Sequence, residues 1–284
     1  MSAAITILNA KDTYRLVTNR DCKVIDATWY MPEPMRNAYQ DYLSAHIPGA
    51  QFFDIDDVTQ KSTDLPHMLP TPNDFAAAMS AMGISNTDPI IVYDQSPVRT
   101  AARLAWMLKA FGHHDIAILD GGLESWRNEG LPLEAGQTQP HKASYTANVS
   151  DQFFCDWKAV KAATSCPSDQ IIDARAADRF QGLVVEPRAG LRSGHIPSSG
   201  NLPFGRLFDA SGCYKSNDEI IAEFEKAGID MDKPIITSCG SGITACVLAV
   251  ALEKVGKKDV TVYDGSWTQW GGRDDLPIET GVSD

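Results

Sequence analysis

The chain of 284 residues carries one series of short sequence patterns twice. The members of each pair keep their order, and the second follows the first by 144 to 149 residues. The pairs are residues 24–27 with 171–174, 46–48 with 195–197, 89–94 with 234–239, 120–126 with 264–270, and 130–134 with 275–279. One such pair could arise by chance, but a whole series in register indicates a tandem duplication. The repeat corresponds to a domain of roughly 130 residues, which is an ordinary domain size.

Each copy alternates short apolar runs with helical patterns. Strands are predicted at residues 24–26, 90–93, 116–119, 171–173, 234–238 and 260–263. Helices are predicted near residues 11–18, 73–82, 101–111, 157–164, 217–227 and 244–255. Short apolar runs bounded by turn residues are typical of strands that are buried on both faces. The alternation therefore predicts an α/β fold in which each copy forms a mainly parallel sheet flanked by helices.

The predicted domains are residues 1–135 and residues 151–284. The stretch between them, residues 136–150, lacks apolar periodicity and contains Gly136 and Pro140. Such a stretch is predicted to be a linker.

Composition narrows the class of partner. The formal net charge is −12 and the sequence pI is about 4.9. This balance argues against nucleic acid or an anionic membrane as a partner, because both repel an acidic surface. An anionic substrate is still compatible, provided that local basic side chains hold it.

The cysteines indicate a reducing compartment. Six of them are scattered along the chain without a Cys-x-x-Cys pair or a Cys/His cluster of zinc spacing, so we expect neither a disulfide scaffold nor a metal site. The N-terminal residues lack the charged and apolar regions of a secretory signal, and no apolar run has the length of a membrane span. We expect a cytoplasmic protein.

The most informative cysteine is Cys239, which directly follows a predicted strand of the second copy. Gly240 and Gly242 come next, and a helical pattern starts at Thr244. The N–H groups of a glycine-rich loop and of a helix N-terminus favour an anion, and hence a thiolate. We interpret Cys239 as a nucleophile; the alternative is a buried structural cysteine. The first copy has Asp94 at the matching position, so only the second copy keeps the thiol.

With these residues identified, the chain resembles the rhodanese superfamily of sulfurtransferases in its tandem two-domain form. The resemblance covers nearly the whole chain and is carried by the His-Ile-Pro and Asp-Gly-x-x-x-x-Trp patterns of both halves and by the Cys239 loop. The loop sequence Cys-Gly-Ser-Gly-Ile-Thr differs only by Ile for Val from that of members that use 3-mercaptopyruvate as sulfur donor. Members that use thiosulfate carry basic residues inside the loop, and this chain has none there. The resemblance implies two rhodanese-like domains, of which the second is catalytic.

The resemblance also implies substrate-binding residues. Arg179 and Arg188 match arginines that bind the carboxylate and carbonyl groups of the substrate, and a planar guanidinium suits bidentate carboxylate recognition. The alternative is a pair of surface arginines, with an ion pair to Glu186. The loop positions expected to contact the substrate are Gly240, Gly242, Ile243 and Thr244.

Proton transfer is assigned to three further residues by the resemblance. The family is thought to link the loop serine, here Ser241, to a histidine and an aspartate, here His67 and Asp56. Such a group resembles a serine–histidine–aspartate relay and would handle protons. The alternative for His67 is a loop histidine that caps backbone groups. Asp54 and Asp57 lie close to Asp56 in the sequence, so which carboxylate points inward stays open.

The resulting expectation is an enzyme that moves sulfur from 3-mercaptopyruvate through a Cys239 persulfide to thioredoxin, a small thiol or cyanide, and releases pyruvate. Covalent transfer in two half-reactions predicts ping-pong kinetics, and no metal or organic cofactor is expected.

The sequence also bears on three other functions. Thiosulfate:cyanide sulfurtransferase is disfavoured by the neutral loop. A cysteine phosphatase of the Cys-x5-Arg type would require arginine where Ala245 stands. A non-enzymatic sulfur carrier would load sulfur once and would not turn over.

Overall fold

The computed structural model describes residues 4–31, 36–166 and 168–281. The chain divides into two compact units of three segments each. The first unit comprises Met1–Gln60, Leu69–Ser150 and Ala210–Tyr214, and the second comprises Lys61–Met68, Asp151–Asp209 and Lys215–Asp284. A short segment from each half of the sequence thus belongs to the unit that the other half mainly builds.

The first unit contains strands and helices in alternation. Its strands are β1 (Thr6–Leu8), β2 (Lys23–Asp26), β3 (Gln51–Phe52), β4 (Ile90–Tyr93) and β5 (Ile116–Leu119). Its helices are α1 (Ala10–Asn19), α2 (Ala38–Ser44), α3 (Pro72–Ala81), α4 (Ala101–Ala110) and α5 (Gly122–Asn128).

The second unit repeats this order. Its strands are β6 (Phe154–Cys155), β7 (Gln170–Asp173), β8 (Ser199–Asn201), β9 (Ile235–Ser238) and β10 (Val260–Tyr263). Its helices are α6 (Trp157–Ala163), α7 (Ala177–Phe180), α8 (Asn217–Lys226), α9 (Ile243–Lys254) and α10 (Ser266–Gly271), with a 3₁₀ helix at Phe204–Leu207.

The two sheets have the same topology. The strand order is β1-β5-β4-β2-β3 in the first sheet and β6-β10-β9-β7-β8 in the second, and every described strand pair is parallel. The predicted α/β fold with two parallel sheets flanked by helices is therefore confirmed. In both sheets the strand that leads to the position of interest, β4 or β9, is central, so its carboxyl end lies between two neighbouring strands.

Buried tryptophans anchor equivalent positions in both cores. Trp126 and Trp270 are fully buried, and their indole N–H groups donate to the carbonyl oxygens of Pro132 and Pro277 at 2.8 Å in each case. A buried indole N–H needs such a partner, which explains why the Trp and the Leu-Pro patterns recur together in the sequence.

The repeated histidines have a structural role. His46 forms an isolated antiparallel bridge with Glu134, and His195 forms the same bridge with Glu279. Their Nδ1 atoms lie 2.8 and 2.9 Å from backbone carbonyl oxygens, which can only accept a hydrogen bond. Each histidine therefore ties the chain after the last helix of its unit to the loop before the third strand.

Local sequence signals explain the helix ends. Ser216 and Glu219 form a reciprocal capping box at the start of α8, which satisfies backbone N–H groups that the helix leaves unpaired. Gly228 follows the helix in the left-handed conformation, with φ of 80°. The helix they delimit agrees with the one predicted near residues 217–227.

The stretch 136–150, predicted as a linker, is packed onto the first unit. Gly136 N donates to Leu43 O at 2.8 Å, and Asn148 N donates to Phe111 O at 3.0 Å. Tyr145 is 5% exposed. The segment lacks apolar periodicity because hydrogen bonds to loops and helix ends hold it, and these leave no repeating pattern.

Among the described helices, none combines the length and the apolar character that crossing a bilayer requires.

Candidate active site

The site is built where β9 ends and α9 begins. Cys239 directly follows β9 and is 2% exposed. Gly242 precedes α9 with φ of 78°, a left-handed conformation that favours glycine. The chain therefore turns sharply within Cys239–Gly242 and directs the start of a twelve-residue helix toward the loop.

The hydroxyl of Ser266, at the start of α10, holds this loop. Its Oγ accepts hydrogen bonds from the backbone N–H groups of Cys239 and Gly242, both at 3.1 Å. The same Oγ donates to Tyr263 O at 2.8 Å and lies 3.9 Å from Cys239 Sγ. Ser266 is fully buried, so few other groups could replace this acceptor. Sequence reasoning missed Ser266, although it stands beside the repeated Asp-Gly pair.

The first unit provides a comparison for Ser266. Trp267 N donates to Cys239 O at 2.9 Å, and Leu123 N donates to Asp94 O at the same distance. Ser266 therefore corresponds to Gly122, and their φ angles are 47° and 60°. Glycine adopts this conformation at no steric cost, whereas serine is strained there. The second unit, which contains Cys239, therefore has a strained backbone at Ser266 and, in exchange, a hydroxyl group that the first unit lacks.

Two loop amides are thus occupied, which corrects one sequence-based expectation. The N–H groups of Cys239 and Gly242 donate to Ser266 and do not surround the sulfur directly. Within the described residues, the amides of Gly240 and Ser241 have no acceptor, and the first turn of α9 leaves its N–H groups unpaired within the helix. These groups still make the end of the loop favourable for an anion.

Ser241 and His67 lie within hydrogen-bond distance of each other. His67 Nδ1 lies 2.9 Å from Ser241 Oγ, and the two residues are 4% and 7% exposed. Although His67 precedes the second half in the sequence, it belongs to the second unit through the segment Lys61–Met68. Its φ of 61° is unusual for a residue other than glycine, and such strain clusters at functional sites.

The carboxylates near Asp56 have separate partners. Asp54 Oδ1 accepts from the N–H groups of Asp56 and Asp57, so Asp54 shapes the local turn. Asp56 Oδ2 accepts from Trp29 Nε1 at 2.8 Å within the first unit. The role of Asp56 in the relay stays a prediction.

Arg179 and Arg188 both lie beside the cysteine loop. A β-carbon on Gly240 would be 3.4 Å from Arg179 Nη2 and 4.0 Å from Arg188 Nη1. These are ordinary van der Waals distances, so the two guanidinium groups lie directly against this point of the loop. Arg179 also forms the ion pair with Glu186 that the alternative interpretation named, at 2.5 Å.

Behind Arg179 lies a buried network of alternating charges. Arg175 contacts Asp173 at 2.7 Å and Glu186 at 2.9 Å, and all three side chains are at most 2% exposed. Burial alone would lower the pKa of Arg175, but the two carboxylates outweigh it and raise the pKa. The Arg175 guanidinium also stacks on the Trp267 ring, 4.4 Å from its centre. Sequence reasoning missed Arg175, because one Arg two residues after a strand carries no distinct signal.

The remaining predicted positions form the loop itself. Gly240 O accepts from Thr268 N at 2.9 Å and from Thr268 Oγ1 at 2.6 Å, which fixes the turn. Ile243 is 3% exposed, and Thr244 is half-buried at the start of α9. Substrate contacts by these positions stay a prediction.

The first unit fills the equivalent loop with its own anion. The Asp94 carboxylate accepts from Ala101 N at 2.7 Å and from Ser96 N at 3.1 Å. Burial raises the pKa of Asp94 to about 6, partly offset by these hydrogen bonds. A carboxylate thus occupies the start of α4, where the other unit places its sulfur at the start of α9.

Comparison with known proteins agrees with the fold. The family model described as a rhodanese-like domain matches residues 9–129 and 156–273. The chain belongs to the rhodanese family, with two tandem domains.

Two similar proteins and one similar crystal structure indicate the class of enzyme within this family. The chain is 43% identical over 281 residues to the mitochondrial thiosulfate/3-mercaptopyruvate sulfurtransferase 1 of Arabidopsis thaliana, which covers 92% of this chain and 74% of that protein. It is 42% identical over 264 residues to 3-mercaptopyruvate sulfurtransferase of Escherichia coli K12, covering 93% and 94%. The crystal structure of SseA from Escherichia coli superimposes with a TM-score of 0.86 at 38% identity and covers 93% of this chain and 99% of that one.

Proposed function

We propose that the protein is a sulfurtransferase that takes sulfur from 3-mercaptopyruvate onto Cys239 and passes it to a thiophilic acceptor. The observation that carries this proposal is the placement of Arg179 and Arg188 beside a cysteine loop that has no basic side chain of its own. The guanidinium groups suit a carboxylate and an adjacent carbonyl, and the neutral loop leaves room for an uncharged thiol sulfur. The names of similar proteins support the same donor.

The first half-reaction is sulfur transfer to the enzyme. The Cys239 thiolate attacks the donor sulfur, the carbon–sulfur bond breaks, and its electron pair forms the enolate of pyruvate. In this proposal Arg179 and Arg188 hold the donor and disperse the enolate charge. The proton of the donor thiol ends on the methyl carbon of pyruvate, so no external acid is consumed. Ser241 and His67 are the buried pair that can carry this proton.

The second half-reaction needs an acceptor thiol or cyanide, and we propose thioredoxin as one acceptor. Leu183 and Val185 are 72% and 85% exposed in the loop between the two arginines. Exposed aliphatic side chains at the rim of a site suit contact with a folded protein. Exchanging both for serine should slow transfer to thioredoxin and leave transfer to cyanide unchanged; equal slowing of both would contradict this assignment.

We also propose a cytoplasmic location. Its support is the scattered cysteine pattern, which is typical of a reducing compartment. Fractionation of cells that produce the tagged protein tests this location.

The donor preference tests the proposed function. With cyanide as acceptor, we expect kcat/KM for 3-mercaptopyruvate to exceed that for thiosulfate by at least about tenfold, because the loop offers no side-chain cation to a compact dianion. A preference for thiosulfate would contradict the assignment of the donor. Failure to turn over with either donor would favour a sulfur carrier.

A further inference from the structure

The carboxylate of Glu186 lies between two arginines and almost out of contact with solvent. It accepts from Arg179 Nε at 3.2 Å and Arg179 Nη2 at 2.5 Å, and from Arg175 Nη1 at 2.9 Å. Its side chain is 1% exposed, whereas that of Arg179 is 25% exposed. Glu186 therefore reaches the donor site only through Arg179.

The charges of this network cancel. Asp173, Arg175, Glu186 and Arg179 alternate in sign along a chain of contacts, so their formal charges sum to zero. Of the atoms around the position that a β-carbon on Gly240 would occupy, Arg179 Nη2 is nevertheless the nearest, at 3.4 Å. The Arg179 guanidinium can therefore donate hydrogen bonds to the sulfur-bearing substrate, while the Glu186 carboxylate compensates most of its positive charge.

We propose that Glu186 is a positioning residue that sets the specificity for the sulfur donor: by neutralising Arg179, it favours donors with one negative charge over compact dianions. This inference rests on the proposed function. A thiol-bearing 2-oxo acid carries one carboxylate, whereas thiosulfate carries two charges within a few bonds. Removing the Glu186 charge would attract both donors more strongly, but the gain would be larger for the dianion.

A matched pair of variants tests this role. Glu186→Gln removes one negative charge from the network and leaves the positive charge of Arg179 uncompensated. Asp173→Asn removes one charge from the same network, but the Asp173 carboxylate contacts Arg175. Both variants should lower thermal stability, because each leaves a buried arginine short of a carboxylate.

Only Glu186→Gln should change the donor ratio. We expect the ratio of kcat/KM for 3-mercaptopyruvate to kcat/KM for thiosulfate to fall by about tenfold or more in Glu186→Gln and to stay within about twofold of the unaltered enzyme in Asp173→Asn. An unchanged ratio in Glu186→Gln, or an equal change in both variants, would overturn the proposal. Lack of activity of the unaltered enzyme with both donors would instead overturn the proposed function.

A measurement on the unaltered protein covers the case in which Glu186→Gln does not fold. Methanesulfonate and sulfate have similar size and differ by one charge. Each is added while Cys239 is alkylated with iodoacetamide, and the concentration that halves the alkylation rate is determined. We expect methanesulfonate to protect at least as well as sulfate. Protection by sulfate at about tenfold lower concentration would contradict a charge-compensated site.

Discussion

At the scale of single residues, Ser266 explains how the cysteine loop is held. Its position requires a left-handed backbone, which the first unit satisfies with Gly122. The left-handed conformation costs serine free energy, and the hydrogen bonds that its hydroxyl accepts from Cys239 N and Gly242 N offset this cost. The strained residue is thus a loop support and not a defect.

Replacing Ser266 tests this account. Ser266→Ala leaves two buried N–H groups without their acceptor, which costs about 1–3 kcal/mol for each group. Ser266→Gly loses the same hydroxyl but relieves the left-handed strain, so it should be more stable than Ser266→Ala by about 1 kcal/mol. Urea denaturation measures the difference. Both variants should lose most of kcat; full activity of Ser266→Ala would contradict the role of the hydroxyl.

The His67–Ser241 pair allows a double-mutant test. His67→Asn keeps a residue type that tolerates positive φ and removes the imidazole. If the pair transfers a proton, His67→Asn and Ser241→Ala should each lower kcat by about a hundredfold, and the double variant should be little worse than either one. Independent, multiplying losses in steady-state kinetics would show that the two side chains do not act together.

At the scale of elements, the sequence predicted the central strands and six helices, among them each described helix of ten or more residues. β2, β4, β5, β7, β9 and β10 are apolar runs, and α1, α3, α4, α6, α8 and α9 show helical patterns or caps. The missed strands β1, β3, β6 and β8 have only two or three residues and lie outside the central three of each sheet. Their pairing is decided by neighbours distant in sequence, so local pattern says little about them.

The equivalent loop of the first unit should make stability depend on pH. Burial raises the pKa of Asp94 from 3.8 to about 6, so the folded state holds this proton more tightly than the unfolded state. The contribution of this proton to the free energy of unfolding is complete below the pKa of Asp94 in the unfolded chain, at about 3.8. It is lost as pH rises through about 6, and the loss amounts to at most about 3 kcal/mol.

Asp94→Asn removes this titration. The free energy of unfolding of the natural chain minus that of the variant should therefore fall between pH 4 and pH 7, and urea denaturation at several pH values measures it. A difference that rises with pH would mean that the amides of Ser96 and Ala101 outweigh burial.

Some residues of the candidate site could be predicted from local sequence, as some strands and helices could, and others could not. Cys239 and the neighbouring glycines can be identified from local sequence, because strand, loop and helix patterns meet there. Arg179, Arg188 and His67 came from the resemblance to a family, since an isolated Arg or His has no local signature. Ser266 contacts residues that lie far from it in the sequence, so only the folded chain reveals its role. The sequence indicated an ion pair of Glu186, but only the folded chain shows that Glu186 is buried and also contacts Arg175.

At the scale of the whole molecule, duplication is combined with an exchange of segments. Lys61–Met68 belongs to the second unit and Ala210–Tyr214 to the first, and the two segments are at corresponding places in the repeat. The sequence revealed the duplication through its repeated patterns. It could not reveal the exchange, because segment membership depends on long-range packing. The exchange explains why His67, from the first half of the sequence, lies within hydrogen-bond distance of Ser241 in the second half.

The proposed function depends above all on the passage of sulfur through Cys239 as a persulfide. The most direct test is to mix the protein with an equimolar amount of 3-mercaptopyruvate without any acceptor, and to measure pyruvate release and intact mass together. We expect one pyruvate per chain and a mass increase of one sulfur atom, which peptide mapping should locate on Cys239 and which should be absent in Cys239→Ser. Subsequent cyanide should remove the added sulfur as thiocyanate. Pyruvate release without added mass, or sulfur on another cysteine, would contradict it.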